Sequence, residues 1–497
     1  MILLDGSSLT VSQVAAVAER NDPVGIAPGA IQAMQRSRVV VEKLAAGDAA
    51  VYAVNTGFGL LSDVRVPFAD LGKLQHNLVR SHAAGVGEPL GRAETRAMML
   101  IRANVLARGF SGIRPLIAER LCDLLNRGVT PVVPARGSVG ASGDLAPLAH
   151  MALVLIGEGE AEFDGSRMPG GEALKRAAIE PVELQSKEGI SLLNGTQAML
   201  AIGCLELIQC ERLAHAADVI CAMSLDGLKG TPRAFDARIH EIRPHPGQRE
   251  SAANLQRLLE GSEIRESHIT CRRVQDAYSL RCAPQVHGAV RDTLAEARRV
   301  FAIELNSVTD NPLVIGDEII SGGNFHGEPL ALALDYLAIA LTALGGISER
   351  RIDRLVNPSL NEDLPAFLAG DPGLESGFMI TQVTAAALVA ENRVLANPAS
   401  PGSITTSGNK EDFVSMGMTG ALKLSQVVRN TRAILAIEAL TAARALDLLA
   451  PLKSGVAIEH ARARLRAACP KWEGDQVFSG KIQAVDDWIR DGGIEGI

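Results

Sequence analysis

The sequence predicts a mainly α-helical protein: a bundle of long antiparallel helices with a smaller N-terminal helix-and-loop region. Three observations carry this expectation. Hydrophobic residues make up 47% of the 497-residue chain but aromatics only 3%, so the core must be aliphatic; Ala- and Leu-rich stretches with interspersed charge favour helix over strand. Runs at 191–228, 284–308, 378–397 and 412–449 hold a helical pattern, several of them beyond the usual globular helix length, which suits a bundle. Gly- and Pro-rich loops at 134–147, 230–248, 260–284, 310–329 and 397–411 separate the helical runs, and long loops of this kind are candidate lids.

Taken in order, the first half alternates shorter helical patterns with loops: a helix within 27–48, a loop at 55–67, and a helix within 93–110. The second half holds the long runs, so the expected division is an N-terminal domain at 1–190 and a helix bundle at 191–497. Apolar residues on more than one face of the long helices imply that subunits pack helix on helix. The most apolar segment, 330–347, carries Asp335 near its start, which argues for a buried helix rather than a membrane span. Tyr336 beside it is expected in the core. The start "MILLDGSSLTVSQ" has no basic segment followed by a sustained apolar one, so no secretory signal is expected. Net charge is −8 without a basic stripe, which disfavours nucleic acid as a partner. The seven cysteines form no CxxC pair, and no HExxH is present, so reduced thiols in a cytoplasmic protein are expected, with no disulfide and no metal site.

The stretch "GSVGASGD" at 137–144 raises the chemical question. A phosphate-binding loop needs Gly-Lys-Ser/Thr where this chain has Asp144, and a carboxylate there would repel phosphate. A plain turn accounts for the glycines but not for "ASG". Two of the three tyrosines, Tyr52 and Tyr278, sit in or beside loop motifs. Gln275 and Arg281 flank Tyr278 at three residues either side, and an amide with a planar guanidinium there can clamp a carboxylate or simply cap a surface turn.

The motifs "YAVNTGFG" (52–59), "LVRSHAAGVG" (78–87), "GSVGASGDLAPLAH" (137–150), "LLNGTQA" (192–198), "QDAYSLRCAPQV" (275–286), "SGGNFHGEP" (321–329) and "NKEDFVSMG" (409–417) together resemble the aromatic amino acid ammonia-lyases. They run in family order across most of the chain. The resemblance implies a fumarase-like tetrameric architecture with active sites at subunit junctions. It also implies no external cofactor: Ala141, Ser142 and Gly143 would cyclise into a 4-methylidene-imidazol-5-one. The Gly143 nitrogen attacks the Ala141 carbonyl, a path open mainly to glycine and small neighbours, and Ser142 loses water to leave an exocyclic alkene. Strain in a tight loop helps close the ring.

On the same resemblance, Tyr52 removes the substrate's β-proton and Asn194 and Gln275 are polar residues around the electrophile and substrate. Tyr278 belongs to the lid, Arg281 holds the α-carboxylate and Phe325 borders the electrophile. A phenol of pKa about 10 costs roughly 4 kcal/mol to ionise at pH 7, so either the site lowers that value or the enzyme favours mild alkali. Ser81-His82 and Glu411 match the histidine-specific members, and a histidine with a carboxylate can hold the two nitrogens of an imidazole. The expected reaction is therefore L-histidine to trans-urocanate and ammonia, the entry to histidine degradation. Tyrosine or phenylalanine elimination, or an aminomutase, is the alternative. Four positions depart from the histidine-specific pattern: Lys410 replaces glutamine, Phe413 replaces histidine, Ala53 replaces glycine, and Gly327 resembles the tyrosine enzymes. A Lys410–Glu411 pair is one expectation from these departures. The mobile loop of the fumarase-like lyases themselves has no counterpart here, and a non-catalytic relative would be expected to lose Tyr52, Ser142 or Arg281.

Overall fold

In the first unit described below, the helix Arg92–Ala107 is buried on every side from Thr95 onward, as befits a helix at the centre of a core. The computed structural model describes residues 1–59, 62–270 and 274–497. Leu60, Leu61, Cys271, Arg272 and Arg273 lie outside the described residues, and with them parts of the expected loop at 55–67 and of the lid candidate at 260–284. The chain divides into two units, one of residues 1–205, 298–335 and 398–422, the other of 206–297, 336–397 and 423–497. Helix accounts for 59% of the residues.

Local signals place the helices. Thr10 accepts from Gln13 N and Gln13 returns a bond to the Thr10 backbone, a capping box that starts Val11–Arg20. Proline opens Pro28–Ala45 and Pro115–Arg127, and Gly128 in the left-handed region closes the latter. The expected helices at 27–48, 93–110, 284–308, 378–397 and 412–449 appear as Pro28–Ala45, Arg92–Ala107, Ala283–Leu305, Met379–Leu395 and Gly417–Leu448. The run at 191–228 differs. It is broken at Asn194–Thr196 into Glu188–Leu193 and Gln197–Gly227.

Short strands, absent from the sequence expectation, tie loops together in the first unit. Ile2–Leu4 pairs in parallel with Val24–Ile26. Val86–Pro89 pairs antiparallel with Pro134–Arg136, joining the end of the helix Leu71–His82 to the start of the 137–144 loop. A three-stranded sheet holds Thr130–Pro131, Glu160–Phe163 and Ser166–Pro169.

In the second unit buried charges fix how the long helices meet. Asp218 on Gln197–Gly227 bonds His287 Nδ1 (2.8 Å) and Arg291 (2.6 Å) of Ala283–Leu305, while Arg291 also reaches Ala214 O (3.3 Å), so these two helices run antiparallel. Glu328–Val356 and Gly417–Leu448 run parallel instead: Thr431 Oγ1 donates to Leu341 O (3.2 Å), and Arg351 Nε donates to Glu438 Oε1 (2.5 Å). The long connection between them, which includes Met379–Leu395, lets the chain return to the same end. Among the described residues, Glu328–Val356 is the one helix long and apolar enough to cross a membrane, and 61% of its most apolar stretch is buried. Asp335 within it accepts the backbone N–H groups of Ala399 and Ser400 (both 2.8 Å). Tyr336, expected in the core, is 51% exposed, because the next position round the helix turns outward. The six cysteines among the described residues are free thiols.

Glu438 is fully buried and accepts from Ser224, Ser348 and Arg351. Removing one partner of a buried pair leaves the other charge uncompensated, at about 3–5 kcal/mol. Glu438→Gln should therefore lower the unfolding free energy by that order, read as a lower denaturant midpoint at unchanged slope. An unchanged midpoint would mean that the pair is solvated in solution.

Candidate active site

The 137–144 loop is anchored from three directions. Gly143 forms a parallel bridge with Gly195, and Asp144 N donates to Gly195 O (2.7 Å). Met416 N donates to Val139 O (2.9 Å), and Ser415 Oγ to Gly140 O (3.0 Å). Ser138 Oγ donates to Asp144 Oδ1 (2.8 Å) and accepts from Gly140 N (3.1 Å). Gly143 has φ +68°, and a Cβ there would overlap the Gly195 carbonyl, so only glycine fits.

Asp144 is fully buried, and its Oδ2 accepts Met199 N (2.9 Å), the third residue of Gln197–Gly227. It thus caps a helix other than the one it precedes, satisfying an otherwise unpaired N–H where the helix dipole favours a carboxylate. Burial nevertheless pushes its carboxyl up to about 6, against the lowering effect of the Met199 and Ser138 bonds. Sequence reasoning used Asp144 only to exclude a phosphate loop. Its role as anchor was invisible because its partner lies 55 residues away.

A cavity of about 1190 Å³ opens beside this loop, lined by Tyr52, His82, Ala141, Ser142, Asn194 and Glu411 among others, with Phe325 and Lys410 also on its wall. Asn194 owes its place to the helix break. Arg102, fully buried, donates to Asn194 O (2.9 Å), Gln197 Oε1 (2.9 Å) and Ser191 O, so two backbone carbonyls at the break are satisfied. Asn194 Nδ2 donates to Asn311 O (3.0 Å), and its Oδ1 is buried with no partner among the described residues.

His82 ends the helix Leu71–His82. Its Nδ1 lies 2.9 Å from Leu78 O; a carbonyl only accepts, so Nδ1 carries the proton and Nε2 is left as an acceptor. Burial lowers the pKa of His82, opposed by the Leu78 bond and the charge of Glu411. Tyr52, edge-on to Phe58 with centroids 6.5 Å apart, has its phenol pushed up by burial and by Glu411, against a bond from the Gly59 backbone. Of the two options for Tyr52, then, this chain by itself does not lower the pKa.

Ser142 Oγ donates to Glu411 Oε1 (2.8 Å), and Thr406 Oγ1 donates to Glu411 Oε2 (2.7 Å). The anticipated Lys410–Glu411 pair does not form among the described residues. Lys410 is exposed, and the carboxylate is already held by two hydroxyls. Phe413 stacks on His326 with centroids 6.0 Å apart. Ala53 is buried with φ +61°, a left-handed conformation that glycine adopts at lower cost.

Not every expected residue reaches the cavity. Ser81 does not line it: its hydroxyl reaches Leu78 O and the His82 ring edge (both 3.2 Å). Gln275, Tyr278 and Arg281 belong to the second unit. Tyr278 is 71% exposed with the Arg281 guanidinium 4.7 Å from its ring centroid.

The residues present fit a methylidene-imidazolone at 141–143: Ala141 is buried and small, Gly143 has no room for a side chain, and Ser142 faces the cavity. A profile of the aromatic amino acid lyase family matches residues 9–467. Histidine ammonia-lyase of Koribacter versatilis is 58% identical, with 98% of each chain covered. Among solved structures, histidine ammonia-lyase of Trypanosoma cruzi superposes with a TM-score of 0.92 at 42% identity, covering 99% of this chain and 94% of that one. Tyrosine aminomutase of Streptomyces globisporus superposes with 0.94 at 41%, covering 99% and 97%. With the family profile spanning most of its length and full-length relatives well above the level at which families diverge, the chain belongs to the aromatic amino acid lyases.

Proposed function

We propose that this protein is a carbon–nitrogen lyase that converts L-histidine to trans-urocanate and ammonia. The observation that carries the reading is that His82 and Glu411 line the same cavity as Tyr52 and Ser142. Full-length likeness to histidine ammonia-lyases supports it; fold alone does not choose the substrate, since a tyrosine aminomutase superposes equally well.

The methylidene-imidazolone formed from Ala141, Ser142 and Gly143 supplies an electrophilic alkene that makes the substrate amine a better leaving group. The chain's own residues do the rest. His82 Nε2 accepts a ring N–H, and the Glu411 carboxylate faces the ring and offsets positive charge that develops on it. Tyr52 as phenolate takes the β-proton; the released electron pair becomes the new C=C bond as the C–N bond breaks. Asn194, with its carbonyl oxygen buried and unpartnered, offers an acceptor to the amine, and Phe325 closes the apolar side. Gln275, Tyr278 and Arg281 come from neighbouring copies in a homotetramer, with Arg281 on the α-carboxylate. The working form is thus a cytoplasmic tetramer with shared sites.

The test is turnover of histidine, tyrosine and phenylalanine, followed by the absorbance of urocanate, coumarate and cinnamate. Wild type should act on histidine. A preference for tyrosine or phenylalanine would overturn the reading. His82→Leu should lower kcat/KM for histidine roughly 5- to 150-fold, the equivalent of about 1–3 kcal/mol for one lost hydrogen bond, while admitting rings without nitrogen.

A second expectation concerns pH. Glu411's charge disfavours the nearby phenolate and so raises the Tyr52 pKa; removing the charge must lower it. In Glu411→Gln the alkaline rise of kcat/KM should therefore move to lower pH, although its height falls. A rise that stays in place or moves upward would show that it does not report Tyr52.

A further inference from the structure

We propose that Thr406 is a positioning residue for Glu411, holding one carboxylate oxygen so that the other faces the substrate ring; this rests on the reading of Glu411 as the ring's partner. Three bonds join the two residues. Thr406 Oγ1 donates to Glu411 Oε2 (2.7 Å), Thr406 N donates to Glu411 O (2.9 Å), and Glu411 N donates to Thr406 O (3.4 Å). The backbone bonds make an isolated antiparallel bridge, closed by a turn in which Ser407, Gly408 and Asn409 are all left-handed. One residue thus fixes both the backbone and the side chain of Glu411.

The remaining oxygen has a telling partner. Oε1 accepts from Ser142 Oγ (2.8 Å). Formation of the electrophile expels that hydroxyl as water, so Oε1 loses this donor while Oε2 keeps Thr406. The carboxylate is then held on one side only, with its free oxygen beside the electrophile. Without Thr406 it would have to be ordered by the substrate itself, at a cost in side-chain entropy. Lys410 does not substitute, since it forms no ion pair with Glu411 among the described residues.

The experiment is a mutant cycle with two readouts. Thr406→Val keeps the β-branched shape and removes the hydroxyl; Thr406→Ser restores it. The first readout is kcat/KM for histidine. The second is the affinity for urocanate by calorimetry, measured in a Ser142→Ala background where no turnover occurs. Thr406→Val should weaken both about tenfold or more, as loss of a hydrogen bond to a charged group does, and Thr406→Ser should recover to within about threefold of wild type. In a Glu411→Ala background, Thr406→Val should add less than about a twofold effect, since its action runs through Glu411. The proposal is overturned if Thr406→Val is silent while Glu411→Ala is damaging, if serine fails to rescue, or if the Thr406→Val effect is undiminished without Glu411. A silent Glu411→Ala overturns the reading of Glu411 itself, a result that needs no Thr406 variant and is therefore separable.

Discussion

The site depends on one backbone crossing. Gly143 and Gly195 meet as a bridge in which neither residue has room for a side chain: a Cβ on Gly143 would overlap the Gly195 carbonyl, and one on Gly195 would lie 2.5 Å from the Arg102 guanidinium and from Thr309 O. Overpacking of this kind costs typically 1–3 kcal/mol or forces the backbone apart. The crossing breaks the helix at Asn194, which turns Asn194 into the cavity. It sets the N-terminus of Gln197–Gly227 over Asp144, whose carboxylate ties the loop down. Arg102 lies beside the crossing and satisfies Asn194 O and Ser191 O at the break. Ser142 projects into the cavity because the residues on both sides of it are fixed in this way.

Recognition of the ring and activation of the base pull against each other. Tyr52, His82 and Glu411 share one cavity, and the Glu411 charge raises both the Tyr52 and the His82 pKa. For His82 burial outweighs it and holds the ring neutral, and the neutral ring with its proton on Nδ1 is the form that presents an acceptor. For Tyr52 it adds to burial and disfavours the phenolate. A carboxylate that suits an imidazole therefore makes the Tyr52 phenol harder to ionise.

Much of this was legible in the sequence, and the failures have physical reasons. The loop "GSVGASGD", Tyr52, His82 and Glu411 stand out through the motifs that resemble the family, and Ala141, Ser142, Tyr52, His82 and Glu411 line one cavity. The helix break at Asn194–Thr196 was missed because apolar periodicity continues through it, and an isolated glycine costs a helix only about 1 kcal/mol, too little to announce a break imposed by tertiary packing. Ser81 enters with His82 as a pair that matches the histidine-specific members, but neighbours at the end of a helix point in different directions, and of the two His82 lines the cavity. Lys410 beside Glu411 suggests an ion pair, whereas the carboxylate is held by Thr406 and Ser142. Asp144, Arg102 and Thr406 act through partners set by the fold, which no local pattern reveals. The short strands lack the length that makes alternation visible.

The central claim is that the crossing presents Ala141, Ser142 and Gly143 for self-cyclisation, and the mass of the intact purified chain tests it most directly. Ring closure and dehydration each release one water. The wild-type chain should be lighter than its sequence by two waters, and Ser142→Ala, which has no hydroxyl to lose, should lack at least one of those losses. A wild-type chain at the full mass of its sequence would contradict the account.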